Sequence, residues 1–182
     1  MDVIKRAQKI KLIIFDVDGV MTDGKILIGS QGELCKSFDA QDGLGITLLR
    51  KNGIKSAIIT GRESEIVRIR AQELNIDDIF QGAKDKLLAL YALKEKHNLS
   101  FDEIAYVGDD LIDIPVMKNI GLACAVLNAR PEVKSIAHFI SDYQGGDGAI
   151  RQIAEIILKA QNKWEMIISS YLSAKSIKDI AQ

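Results

Sequence analysis

A continuous apolar run, Leu12-Ile13-Ile14-Phe15, breaks off into acid: Asp16, Asp18 and Asp23 follow, with Gly19 and Gly24 among them. Unbroken apolarity of that length suits a parallel strand buried on both faces, and such a strand commits the chain to helices on either side of its sheet. Strand side chains alternate faces, so Asp16 and Asp18 project to the same side at the strand's carboxyl end. In open parallel sheets that end is where ligands bind. Two carboxylates held there repel each other unless a cation or a proton sits between them. An acidic Asp-Gly turn that merely stops the strand would look the same in isolation. The rest of the chain decides between the two.

Further apolar runs follow at intervals: 54–60, a short one near Ile79-Phe80, 104–107, 121–126 and a last one over 138–141. Helical stretches separate them. One spans 44–52, stopped by Gly53, and one spans 64–74, with Val67, Ala71 and Leu74 on one stripe. A third runs to about His97 with Leu87, Leu90 and Tyr91 facing inward. Ser100 to Glu103 has capping-box spacing, and Pro115 and Pro131 each suit the first turn of a helix. Strands alternating with helices in this way give an α/β fold with a doubly wound parallel sheet. Residues 24–38 interrupt the alternation with two short runs around Gly29-Ser30-Gln31-Gly32, a β-hairpin signal. Residues 39–43 read as a polar loop. Near the end, Ile150, Ile153 and Ile157 make one helical stripe. Trp164, Ile167, Ile168, Tyr171 and Leu172 make another, facing either the same domain or another subunit. The whole chain, 1–182, is expected to be one domain, with 173–182 a flexible tail.

Composition removes several classes of function. A formal net charge of −1 gives no general attraction to nucleic acid or anionic membrane. No apolar run approaches the ~20 residues of a membrane span, and the first residues lack a signal-peptide core. Cys35 and Cys124 form neither a disulfide framework nor a metal motif, which fits a reducing cytoplasm. His97 and His138 lack local ligand partners and are expected to be structural or surface residues.

Four strand ends or loops carry polar groups of different kinds: Asp16 with Asp18, then Thr60, then Lys86, then Asp109 with Asp113. Together these are the parts phosphoryl transfer needs. A carboxylate serves as nucleophile, splitting a hard hydrolysis into two easier steps. A second carboxylate protonates the leaving oxygen and then deprotonates water. A hydroxyl and an ammonium hold the transferring oxygens. Crowded carboxylates call for a hard dication, and Mg²⁺ is the natural candidate because no His or Cys converges on them.

In this order Asp16-Val17-Asp18-Gly19-Val20, Thr60, Lys86 and Gly108-Asp109-Asp110-Leu111-Ile112-Asp113 resemble the signatures of the haloacid dehalogenase superfamily of aspartyl-phosphate phosphatases. The resemblance implies Asp16 as nucleophile and Asp18 as general acid and base, Asp18 also lending its backbone carbonyl to the metal beside Asp16 and Asp109. It implies Thr60 and Lys86 at the phosphoryl group, with Asp110 or Asp113 as outer support. No segment is long enough for a cap domain. The hairpin, the stretch 38–43, Thr60-Gly61-Arg62 and the Asp-Leu-Ile-Asp-Ile-Pro run are similar to the superfamily's uncapped sugar-acid phosphatases. These serve lipopolysaccharide sugar synthesis on an eight-carbon acid, or act on nine-carbon sialic-type acids. That likeness implies a homotetramer in which a tail reaches a neighbour's site. It also implies substrate contacts from Asp18, Asp39, Ala40, Gln41, Asp42, Gly43, Thr47, Gly61, Arg62, Arg70 and Lys86, the two guanidinium groups facing carboxylate and phosphate. A regulatory phosphoacceptor domain is the rival from another class. It has little use for the second Asp two residues beyond the first.

Overall fold

The computed structural model describes residues 2–173 of the chain. Apart from Ser173, the expected tail lies outside the described residues. In chain order the elements are α1 (Val3–Ala7), β1 (Leu12–Phe15), β2 (Leu27–Gly29), β3 (Gly32–Cys35), α2 (Ala40–Lys51), β4 (Lys55–Ile59), α3 (Glu65–Leu74), β5 (Asp78–Phe80) and α4 (Lys86–Lys96). There follow a 3₁₀ turn (Phe101–Glu103), β6 (Ile104–Gly108), a second such turn (Leu111–Asp113), α5 (Ile114–Met117), β7 (Leu122–Ala125), α6 (Pro131–Ile136), β8 (Phe139–Ile140), α7 (Ala149–Ala160) and α8 (Trp164–Leu172).

Six strands form one parallel sheet in the order β5-β4-β1-β6-β7-β8. β1 is central, and every one of its residues is sealed from solvent. Helices α1, α2 and α7 pack together on one side of the sheet, while α4 and α5 pack against the other. That arrangement explains why β1, β6 and β7, and residues 57–59 of β4, read as unbroken apolar runs rather than alternating ones. The chain steps from β1 to β4 and β5 in one direction, then returns to β6 on the opposite flank of β1. The carboxyl end of β1 is therefore the switch point at which open α/β sheets form a ligand crevice. Phe15 pairs with both Ile58 and Val107, so β1, β4 and β6 finish level with one another. Hairpin β2–β3 stands apart as a two-stranded antiparallel sheet. No cap domain is present among the described residues, and none of their helices is long and apolar enough to cross a membrane.

Several expectations are corrected. Residues 40–43 are not a loop but the first turn of α2, because the Asp39 carboxylate accepts the Asp42 N–H at 2.8 Å and caps the helix. On α4 the buried positions are Lys86, Ala89, Leu90 and Leu93. Tyr91 instead turns out to solvent and meets the Phe101 ring edge-on at 5.6 Å. The α8 stripe is only partly used: Ile167 is buried, whereas Ile168, Tyr171 and Leu172 are exposed. Both histidines are structural, as expected. His97 bridges Asp78 and Lys55, and the His138 ring accepts the Ala123 N–H.

Candidate active site

The sheet register brings Asp16, Thr60 and Asp109, each at a strand's carboxyl end, to one mouth. Lys86 reaches it from the first residue of α4, which Asp85 caps through the Leu87 N–H. The Lys86 ammonium is almost wholly buried and lies 2.8 Å from Asp16 Oδ2 and 2.8 Å from Asp113 Oδ1. Asp113 has no solvent exposure. Its Oδ1 also accepts the Tyr106 hydroxyl at 2.7 Å, and its Oδ2 accepts the Asp109 and Asp110 N–H groups at 2.9 and 3.2 Å. Four donors saturate that carboxylate, so Asp113 fixes Lys86 and the loop after β6 and has no lone pair to spare for an ion. Asp110 caps the 3₁₀ turn through the Leu111 N–H.

Carboxylate oxygens of Asp16, Asp109 and Asp113 lie within 4.8 Å of one another, against one buried cation. Burial first, and the Asp113 charge second, raise the Asp16 pKa to about 6 despite the opposing pull of Lys86. Burial, then the charges of Asp16, Asp113 and Asp110, raise Asp109 to about 7. Lys86 is held above its usual value: burial acts against its charge, and the two aspartates outweigh burial. Asp109 Oδ1 is buried and has no hydrogen-bond partner. An unpaired oxygen beside mutually repelling carboxylates fits a hard dication, with Asp16 and Asp109 as its donors.

The loop after β1 needs its glycine. Gly19 has φ +95°, and a Cβ there would fall 2.1 Å from Asp109 Oδ2. Gly145 presses on the same loop from the far side, where a Cβ would fall 1.8 Å from the Gly19 carbonyl oxygen. The Gly146 N–H also donates to the Val20 carbonyl at 3.0 Å. The segment before α7 thus backs the loop after β1, a contact the sequence did not advertise.

Asp18 does not join the carboxylate cluster. Its side chain turns to Lys36, to which it is hydrogen-bonded, and to Arg62, whose Nε lies 3.6 Å away. Burial works against the Lys36 charge, but the Asp18 and Glu33 carboxylates beside its ammonium prevail and raise its pKa. Of the expected substrate contacts, Ala40, Gly43, Thr47 and Arg70 line a separate hollow of about 600 Å³ with Phe38 and Glu73. Arg70 sits 5.6 Å above the Phe38 ring, pairs with Glu73 at 2.9 Å and leaves Nε without a partner. Thr47 donates to its own helix at Gly43, and Gln41 and Gly61 are exposed. Asp42 is buried, its pKa raised to about 6 chiefly by burial, and its carboxylate accepts the Arg151 N–H at the start of α7.

Sequence reasoning missed Tyr106 and Lys36. Tyr106 was hidden in an apolar strand. Its hydroxyl was the one signal, since a buried phenol needs a partner. Tyr106→Phe is expected to cost about 1–2 kcal/mol in denaturant unfolding, because Asp113 loses a donor where water cannot replace it. A loss below about 0.5 kcal/mol would mean the hydroxyl carries no such role.

The chain matches known proteins in family, in sequence and in fold. Residues 64–153 match the haloacid dehalogenase-like hydrolase family. The 3-deoxy-D-manno-octulosonate 8-phosphate phosphatase of Yersinia pestis is 46% identical over 164 residues, covering 90% of this chain and 88% of that protein. Among solved structures, a probable YrbI family phosphatase from Pseudomonas syringae superposes with a TM-score of 0.93 at 44% identity, covering 96% of this chain and 99% of that one. The Moraxella catarrhalis 3-deoxy-D-manno-octulosonate 8-phosphate phosphatase, solved with magnesium, phosphate and KDO, gives 0.91 at 41%, covering 93% and 97%.

Proposed function

The chain belongs to the 3-deoxy-D-manno-octulosonate 8-phosphate phosphatase family of the haloacid dehalogenase superfamily, and from that premise we propose how its residues work. It is a Mg²⁺-dependent phosphoric monoester hydrolase acting on a sugar-acid phosphate, and the substrate we assign is 3-deoxy-D-manno-octulosonate 8-phosphate. The observation that carries the reading is the buried Asp16–Lys86–Asp113 chain beside the unpaired oxygen of Asp109.

Asp16 attacks phosphorus, its oxygen forming a bond as the ester oxygen departs, and Asp18 gives that oxygen a proton. Asp18 then takes a proton from water, which attacks the acyl phosphate, releasing phosphate and restoring Asp16. Lys86 and Thr60 hold the phosphoryl oxygens through both steps. Asp16, Asp109 and the Asp18 carbonyl would hold Mg²⁺, which would supply positive charge against the transferring group. Asp110 and Asp113 keep that loop in place.

Substrate recognition falls to two places, Arg70 with Ala40, Gly43 and Thr47 in the hollow beside α2, and Arg62 with Gly61 beside Asp18, while the buried Asp42 acts on them only through α2. Arg70→Met is expected to raise KM for the sugar-acid phosphate about tenfold while leaving p-nitrophenyl phosphate unaffected, since the latter has no carboxylate to bind. Equal effects on both substrates would remove Arg70 from recognition. The assembly we propose is a homotetramer joined through the hairpin, where Leu27, Ile28 and Leu34 face solvent together. A panel of sugar-acid phosphates compared by kcat/KM tests the assignment. The eight-carbon acid is expected to lead, and preference for a nine-carbon acid or for hexose phosphates would overturn it. A phosphoacceptor switch has no support from relatives that are phosphatases over nearly their full length.

A further inference from the structure

The hairpin carries a second feature besides its exposed apolar strands. Leu27, Ile28 and Leu34 point outward, yet the charged pair Glu33 and Lys36 turns inward. The Lys36 side chain is only 1% exposed. An ammonium so placed is costly unless fully paired, and Lys36 has two carboxylate partners, Asp18 by hydrogen bond and Glu33 at 3.1 Å. The second oxygen of Glu33 accepts the Ser64 hydroxyl, and Ser64 caps α3 by accepting the Val67 N–H at 3.3 Å. A continuous chain of polar contacts therefore runs from the start of α3 through Glu33 and Lys36 to Asp18.

We propose that Lys36 is a positioning residue for phosphoryl transfer, its ammonium fixing the Asp18 carboxyl group where it meets the departing oxygen. Lys36 is too enclosed to bind substrate itself, so any effect on the reaction passes through Asp18. Arg62 flanks the other Asp18 oxygen at 3.6 Å but is half exposed, which leaves Lys36 as the anchored partner. The hairpin then completes the catalytic apparatus of its own subunit, apart from any part it plays between subunits. This inference rests on Asp18 being the proton donor in the proposed reaction.

The test compares kcat/KM for two phosphate esters in Mg²⁺. The first is an alkyl ester, whose alkoxide needs a proton to leave. The second is p-nitrophenyl phosphate, whose phenolate leaves without one. In Lys36→Met the alkyl ester should lose on the order of a hundredfold, the usual penalty for a misplaced catalytic group, and p-nitrophenyl phosphate less than about tenfold. Lys36→Arg should recover most of the alkyl activity, and Glu33→Gln should show the same selective loss in smaller measure. Parallel losses on both esters would reduce Lys36 to a structural staple, and no loss would remove it altogether. If circular dichroism shows Lys36→Met unfolded, Glu33→Gln decides by the same criterion. Failure of the wild type to hydrolyse either ester would instead sink the phosphatase reading. An active wild type whose selectivity survives in the variants would sink only the role of Lys36.

Discussion

Asp16→Asn leaves a folded protein whose kcat/KM for p-nitrophenyl phosphate in Mg²⁺ drops by at least about four orders of magnitude, the scale on which removal of a nucleophile acts. The amide keeps the shape of the side chain and an oxygen for Lys86, but it cannot form an acyl phosphate. The same substitution is expected to make the metal-free protein more stable above neutral pH. Wild-type Asp16 is ionised there at a cost, since burial and the Asp113 charge raise its pKa to about 6. A neutral isostere escapes that cost, on the order of 3 kcal/mol. The two readouts move in opposite directions, which separates loss of chemistry from loss of fold. Activity within about tenfold of wild type would exclude Asp16 as the nucleophile.

What could be read in advance followed the range over which each signal acts. The run Leu12–Phe15 and the acids beyond it declare a buried strand and a charged mouth through residues adjacent in sequence. The strand end at Thr60 and the loop after β6 were legible for the same reason. Register then did the assembling: Phe15 pairing with Ile58 and Val107 aligns three strand ends that only their order had linked. Misreadings fell where a distant partner decides. Residues 39–43 look like a loop because Asp, Gln and Gly favour turns, but Asp39 caps α2 and Asp42 is held by the Arg151 N–H more than a hundred residues away. Tyr91 fits an inward stripe on period alone, yet α4 turns Lys86 inward to meet Asp16 and Asp113, and the stripe rotates with it. Lys36 reads as an ordinary solvated strand residue. Only the folded hairpin shows that it is enclosed against Asp18.

Magnesium and pH should act on stability through the same pair of carboxylates. Both Asp16 and Asp109 have folded-state pKa values above the ordinary 3.8, at about 6 and about 7. Below about pH 3 both are protonated in folded and unfolded chains alike, and they contribute nothing. Between pH 4 and 7 the unfolded chain has released its protons while the folded one still holds them, so stability declines as pH rises. By about pH 8 the penalty for the pair is complete, since burial raises both carboxyl groups and the Asp16 charge raises Asp109 further. A dication bound between them removes that penalty and binds more tightly as the protons leave. In EDTA, therefore, the thermal midpoint should fall from pH 5 to pH 8, and the rise produced by Mg²⁺ should grow across the same interval. Asp42, at about 6, contributes to the decline but not to the metal response, whereas His138, held below its usual value by burial, acts in the opposite sense. Asp109→Asn isolates the site from both, and should flatten the metal-dependent part while leaving theirs. A Mg²⁺-induced shift of equal size at pH 5 and pH 8 would mean that these carboxylates do not hold the ion.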